Sequence, residues 1–189
     1  MKRLFIAIKI ETDNNFLSTY QELRKLLVME KIKWVAPQKM HLTLKFLGKT
    51  TDDQLLRLHD VLPGVASRYS EFDMQFNKAG IFGSSYRPRV IWLGDEQSQE
   101  VRSLGEDMLD SLDAAGFKRD RQNFVPHLTL GRIKQINSKK QFQKVMDQFR
   151  SAFSLRVRVN EIVLYQSILK PAGPLYIALK KYKLQTKQD

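Results

Sequence analysis

The tetrapeptide His-Leu-Thr-Leu occurs twice, at 41–44 and at 127–130, and the chain around the two copies matches element by element. A duplicated chain constrains its own fold, because what one half forms the other half forms again. Leu4–Ile10 and Arg89–Leu93 are rich in apolar and β-branched residues and read as strands. Each is followed by a helical stripe at spacings of three and four. The stripes are Phe16, Tyr20, Leu23 and Leu27 in one half, and Val101, Leu104, Met108 and Leu112 in the other. Gly116 is placed to end the second of these helices. After each His-Leu-Thr-Leu strand comes a capping-box spacing, Thr51-Asp-Asp-Gln54 or Ser138-Lys-Lys-Gln141, which opens another helix. Strands Phe72–Phe76 and Phe153–Val159 follow, and the match runs on through Asn77 and Asn160 to Phe82 and Tyr165.

The expected fold class is α+β: a bilobal internal duplication in which two mostly antiparallel sheets, backed by outer helices, face one another across a central cleft. No Pro/Gly/Ser-rich linker divides the halves, roughly 1–88 and 89–184. Residues 1–189 are therefore expected to form one bilobal domain, long enough to bury a core without metal or disulfide staples. The polar tail after Leu184 is expected to fray.

The absence of cysteine excludes disulfide scaffolds, Cys-ligated metal centres and thiol nucleophiles. No apolar run approaches the ~20 residues of a membrane span, and the N-terminal apolar run, Leu4–Ile8, is short for a signal peptide. A cytoplasmic monomer without a membrane partner is expected. Lys and Arg number 32 against 20 Asp and Glu, a formal net charge of +12. The excess lies in residues 1–50, 101–150 and 151–189, whereas 51–100 is slightly acidic. There is thus no basic tail, and a cationic surface for an anionic partner has to be assembled by folding.

Chemistry concentrates in the repeated motif. Strand side chains alternate, so His41 and Thr43 share one face while Leu42 and Leu44 share the other, and His127 and Thr129 stand likewise against Leu128 and Leu130. The leucines bury the strand on its helices, which leaves imidazole and hydroxyl together on the opposite face. Facing lobes would bring two imidazoles and two hydroxyls to one cleft. Such a set suits phosphoryl transfer without metal or cofactor. One neutral imidazole takes a proton from the attacking oxygen, one protonated imidazole gives a proton to the leaving oxygen, and the hydroxyls hold the non-bridging oxygens. A strained cyclic phosphodiester is a fitting substrate, since its leaving group stays tethered. Duplication of a buried strand pattern is the plain alternative, but paired polar side chains on one face need partners if buried. His59, beside Asp60 on a helix, has no repeat partner and reads as a packing residue.

Four stretches carry a resemblance over nearly the whole chain: Met40–Gly48, Arg87–Gly94, Phe124–Arg132 and Gly173–Tyr176. They resemble the bacterial and archaeal RNA 2',3'-cyclic phosphodiesterases, also called 2'-5' RNA ligases, of the two-histidine phosphoesterase superfamily. The resemblance implies opening of an RNA terminal 2',3'-cyclic phosphate to a 2'-phosphate, with RNA ends or small cyclic nucleotides as substrate. By the same resemblance His41 is the general acid on the leaving 3'-oxygen, His127 the general base on water, and Thr43 and Thr129 bind the phosphate. With an RNA 5'-hydroxyl in place of water, the same site would make a 2'-5' linkage.

Other residues are weaker candidates. Arg132 is a phosphate ligand on the resemblance, yet strict alternation turns it away from His127 unless the strand bends at Gly131. Phe46, by the same count, faces the leucine side and packs in the core, with base stacking as the alternative. Phe82 and Tyr165 match in the repeat and either pack or stack a terminal base. Arg89, with Arg87, Arg119 and Arg121, flanks strands and is a candidate for RNA phosphates. Two other functions compete: a phosphodiesterase for 2'-5' oligonucleotides or ADP-ribose cyclic phosphate, and a non-catalytic protein that binds RNA ends.

Overall fold

A computed structural model describes residues 1–84, 86–94, 98–119, 123–171 and 173–186. In chain order the elements are β1 (Lys2–Lys9), α1 (Asn14–Leu26), β2 (Lys31–Trp34), β3 (His41–Thr50), α2 (Asp52–Ala66), β4 (Phe72–Phe76), β5 (Lys78–Gly83), β6 (Pro88–Gly94), α3 (Gln99–Ala114), β7 (Leu128–Gln135), α4 (Lys139–Gln148), β8 (Leu155–Val159), β9 (Glu161–Ile168) and β10 (Leu175–Lys183). The fold is α+β, and the repeat is visible in it: β1, α1, β3, α2, β4 and β5 are matched by β6, α3, β7, α4, β8 and β9. Strands β2 and β10 have no counterpart.

Local signals set the helix ends. Asp13 caps α1 by accepting from the Phe16 amide at 2.7 Å. Thr51 and Gln54 form both bonds of a capping box at the start of α2. Ser138 accepts from the Gln141 amide at α4. Gly116 follows α3 at φ +87°, where a side chain would be strained.

The sheet differs from the two separate ones expected. Seven strands run in the order β10-β9-β1-β3-β7-β6-β5, with β2 as an eighth on β7. The two sides join at the centre through one pair, Leu42 with Leu128. At that point the two motif strands each present an edge to the other, and pairing satisfies both. Strands β4 and β8 leave the large sheet and pair with each other over five residues each.

That small pair has a large consequence. It carries the chain of each half across the axis, and only Asn77 or Asn160 separates it from the next strand. So β5 joins β6, and β9 joins β1. One lobe is β10-β9-β1-β3; the other is β2 and β7-β6-β5. Each contains strands from both halves of the sequence.

Helices interleave as well. In α1, Tyr20 Oη bonds the carbonyls of Val35 (2.8 Å) and Leu130 (3.0 Å), so the first helix docks on the second motif strand. Helices α2 and α3 are tied by Arg68, which donates to Asp107 (2.8 and 2.9 Å) and Ser111 (2.8 Å). Glu30 accepts from the Asn137 and Ser138 amides at the start of α4. One contiguous core runs from Leu4 and Ile6 through Leu42, Leu128 and Leu130 to Ile162 and Leu164. The chain stays paired slightly past Leu184: Gln185 exchanges backbone bonds with Tyr69 and Glu71. No described helix is long and apolar enough to cross a membrane.

Candidate active site

His41 opens β3, and His127 immediately precedes β7. Both side chains, with Thr43 and Thr129, line one cavity of about 440 Å³. The two imidazoles are held alike. Nδ1 of His41 lies 2.8 Å from the Lys39 carbonyl, and Nδ1 of His127 lies 2.8 Å from the Val125 carbonyl, two residues upstream in each case. A carbonyl only accepts, so each Nδ1 carries a proton and donates it. In the neutral ring Nε2 is then the acceptor, left for the cavity.

Aromatic side chains brace each ring. Tyr176 meets His41 edge-on at 5.2 Å, with Phe5 on it at 5.0 Å, and Phe82 meets His127 edge-on at 4.8 Å. Burial pushes both imidazoles below the ordinary histidine range. The carbonyl bonds oppose this, and the nearby Arg132 charge adds to it; His41 also feels His127.

Strict alternation fails after Thr43 and Thr129, and it fails identically. Ala7 pairs with Thr43 and Ile6 with Lys45, which leaves Leu44 as an extra residue. Trp92 pairs with Thr129 and Ile91 with Gly131, which leaves Leu130 extra. These are β-bulges, and each turns the following residues by one position. Leu44 and Lys45 are consecutively buried, as are Leu130 and Gly131. Arg132 therefore shares the face of His127 and lines the cavity. Phe46, expected on the leucine side, is instead 57% exposed and lines the same cavity, for the same reason.

The other sequence candidates lie further out. Phe82 packs on His127 and stacks on Trp92, while Tyr165 stacks on Phe5 at 5.2 Å; neither lines the cavity directly. Arg89 is exposed on β6 outside the lining. Arg119 is bonded to Glu106 and Asp110. Arg121 lies outside the described residues. His59 is a packing residue, with Nδ1 2.7 Å from Tyr182 Oη.

Sequence reasoning did not single out Arg3, Phe5, Lys39 or Tyr176, which also line the cavity. Tyr176 stood in the Gly173–Tyr176 stretch, which was the available signal for it. Lys39 donates to the Pro174 carbonyl at 2.9 Å and so ties the approach to β3 to the turn before β10. The lining holds Arg3, Lys39 and Arg132 and no carboxylate among the described residues. Its charge suits an anion, and the two hydroxyls and two imidazoles between the lobes suit a tetrahedral one. Among the described residues no three His, Cys, Asp or Glu are grouped to hold a metal ion.

Residues 15–169 match the family model of the 2'-5' RNA ligase superfamily, and the chain belongs to that superfamily. Within it, the chain is 31% identical to an RNA 2',3'-cyclic phosphodiesterase of Archaeoglobus fulgidus, over 96% of this chain and 99% of that one. Its structure is similar to TT0787 of Thermus thermophilus (TM-score 0.77, 26% identity, 98% and 100% covered). It is also similar to LigT of E. coli complexed with phosphate (TM-score 0.72, 25% identity, 98% of each chain covered).

Proposed function

We propose that the protein hydrolyses the terminal 2',3'-cyclic phosphate of RNA to a 2'-phosphate, without metal or cofactor. The observation that carries this reading is the mirrored pair of imidazoles, each held through Nδ1 and leaving Nε2 for one shared cationic cavity. His127 accepts a proton from water as the water oxygen bonds to phosphorus. His41, protonated, gives its proton to the 3'-oxygen as the P–O3' bond breaks. Thr43, Thr129 and Arg132 donate to the non-bridging oxygens, whose charge must be held in the transition state. Low imidazole pKa values support the base role directly, and the incoming phosphate anion favours protonation of the acid.

The acid/base order has support beyond family resemblance. Past the histidines the cavity extends over the β10-β9-β1-β3 lobe, the side of His41. A cyclic phosphate carries its bulky ribose on the leaving-group side and meets only water on the other. Phe46, exposed at this side, offers a face for a base. The name of the A. fulgidus relative, RNA 2',3'-cyclic phosphodiesterase, agrees with the reaction. The phosphate bound by E. coli LigT agrees with the class of ligand.

The test is hydrolysis of a nucleoside 2',3'-cyclic phosphate in EDTA, with phosphorus NMR to distinguish 2'- from 3'-phosphate. His41→Ala and His127→Ala are each expected to lower kcat by about 10²–10⁴. Wild-type-like turnover in either variant would exclude the two-histidine mechanism. Supplied with a 2',3'-cyclic phosphate end and a 5'-hydroxyl RNA, the same site is expected to form a 2'-5' linkage, the 5'-oxygen attacking phosphorus in place of water as the P–O3' bond breaks.

A further inference from the structure

The pseudo-twofold symmetry is kept at the histidines, threonines and bulges, but it is broken beyond them. On β1 the residue two places before Phe5 is Arg3, whose counterpart on β6 is Pro88. Beyond His41 the cavity runs over Tyr176 to Arg3, Gly48, Ser167 and Leu169. Pro88 and Ser84, the counterparts of Arg3 and Ser167, line a separate cavity of about 210 Å³ instead. On this side β3 carries a second bulge beside the cavity: Leu4 pairs with Gly48 and Phe5 with Phe46, leaving Leu47 extra. Gly48 has φ +73° there, a conformation that side chains rarely take.

The Arg3 backbone pairs with β3, but its guanidinium has no hydrogen bond or ion pair with a described residue. It is one of two guanidinium groups in the cavity. The Arg132 charge lowers the pKa of both imidazoles, and Tyr176 feels Arg132 and Arg3 alike. The cavity thus has a guanidinium at the histidines and another toward Gly48 and Ser167, besides Lys39, and Tyr176 lines it with them. Residues two apart on a strand are about 6.8 Å apart, so Arg3 lies about one nucleotide's reach beyond Phe5, whose ring touches that of His41.

We propose that Arg3 forms a second phosphate subsite, with Ser167 as a hydroxyl donor, which takes the 5'-phosphate of the terminal nucleotide. The proposal rests on the reading of the reaction given above and adds the residue that reads the substrate's second phosphate. The 5'-phosphate, which an RNA end carries on its last nucleotide and a bare nucleoside cyclic phosphate lacks, is the group Arg3 recognises. A guanidinium without an internal partner is free to form a charge-assisted pair with such a phosphate.

The experiment compares adenosine 2',3'-cyclic phosphate with its 5'-phosphorylated form at fixed ionic strength, using the full chain. Wild type is expected to favour the 5'-phosphorylated substrate by about five- to tenfold in kcat/KM, mainly through KM. Arg3→Gln is expected to remove most of that ratio, and Arg3→Lys to restore part of it. Equal kcat/KM for the two substrates in wild type, or an unchanged ratio in Arg3→Gln, would overturn the subsite while leaving the reaction intact. Failure of wild type to hydrolyse either substrate would remove the reaction and the subsite with it.

Discussion

At the residue scale, Arg132 links the two halves of the candidate site, because its charge reaches both imidazoles. Removing that charge favours the protonated ring, so Arg132→Gln is expected to raise the pKa of His41 and of His127 in the free protein. Imidazole proton shifts followed by NMR across pH 4–8 would show it. The same variant is expected to lose about 10²-fold or more in kcat, as a lost transition-state donor does. The histidines also bear on stability. His41, His59 and His127 all titrate lower in the fold than histidine ordinarily does, with burial as the leading cause. The unfolded chain therefore binds more protons as pH falls through about 6.5. Stability is expected to decline from there down to the folded pKa values. Urea midpoints measured between pH 7.5 and 5 should show that decline, and a His41→Gln, His127→Gln double variant should flatten it.

Single elements show where pattern reading works and where it stops. The four helices, their caps and strands β1, β3, β4, β6, β7 and β8 lie close to where apolar periodicity and capping residues put them, because those signals are local; β2, β5, β9 and β10 are strands that the pattern does not name. The capping box at Thr51 is expected to contribute about 1 kcal/mol, so Thr51→Ala should lower the urea midpoint without changing its slope. Alternation within a strand is also local, but a bulge is chosen by the partner strand. Nothing within His41–Phe46 announces that Leu44 is the extra residue; the register against Ile6 and Ala7 decides it. Hence Arg132 and Phe46 came to the cavity against the count. Gly48 is a second place where backbone geometry rules. A Cβ there meets no atom within 4 Å, yet the positive φ remains. Gly48→Ala is expected to cost about 1–2 kcal/mol through backbone strain alone, measurable by denaturant titration.

For the whole molecule, interleaving is the decisive property. Each lobe takes strands from both sequence halves, so neither half can complete a sheet alone. Fragments 1–84 and 88–186 are expected to be largely unfolded when separate, and to gain β-structure by circular dichroism when mixed. The intact chain should unfold in one transition, with calorimetric and van't Hoff enthalpies equal. Two resolved transitions would show that the lobes are energetically independent. The charge belongs to this scale too. Three of the basic residues face the cavity and no described carboxylate does, although the sequence spreads the excess over both ends.

The sequence by itself determined the duplication, six of the ten described strands, the four helices and the four polar side chains of the motif, because repeats, periodicity and capping are properties of neighbouring residues. It did not determine that two expected sheets would join at Leu42 and Leu128, that strands would exchange between lobes, or that Tyr176 would meet His41 and Arg3 would line the same cavity. Those outcomes depend on pairing between segments far apart in the chain. Only the tertiary structure sets which edges are left unpaired and which faces meet. The broken symmetry of the cavity is likewise a tertiary fact: β10 pairs with β9 on one side and brings Tyr176 to the cavity, whereas β2 pairs with β7 on the other.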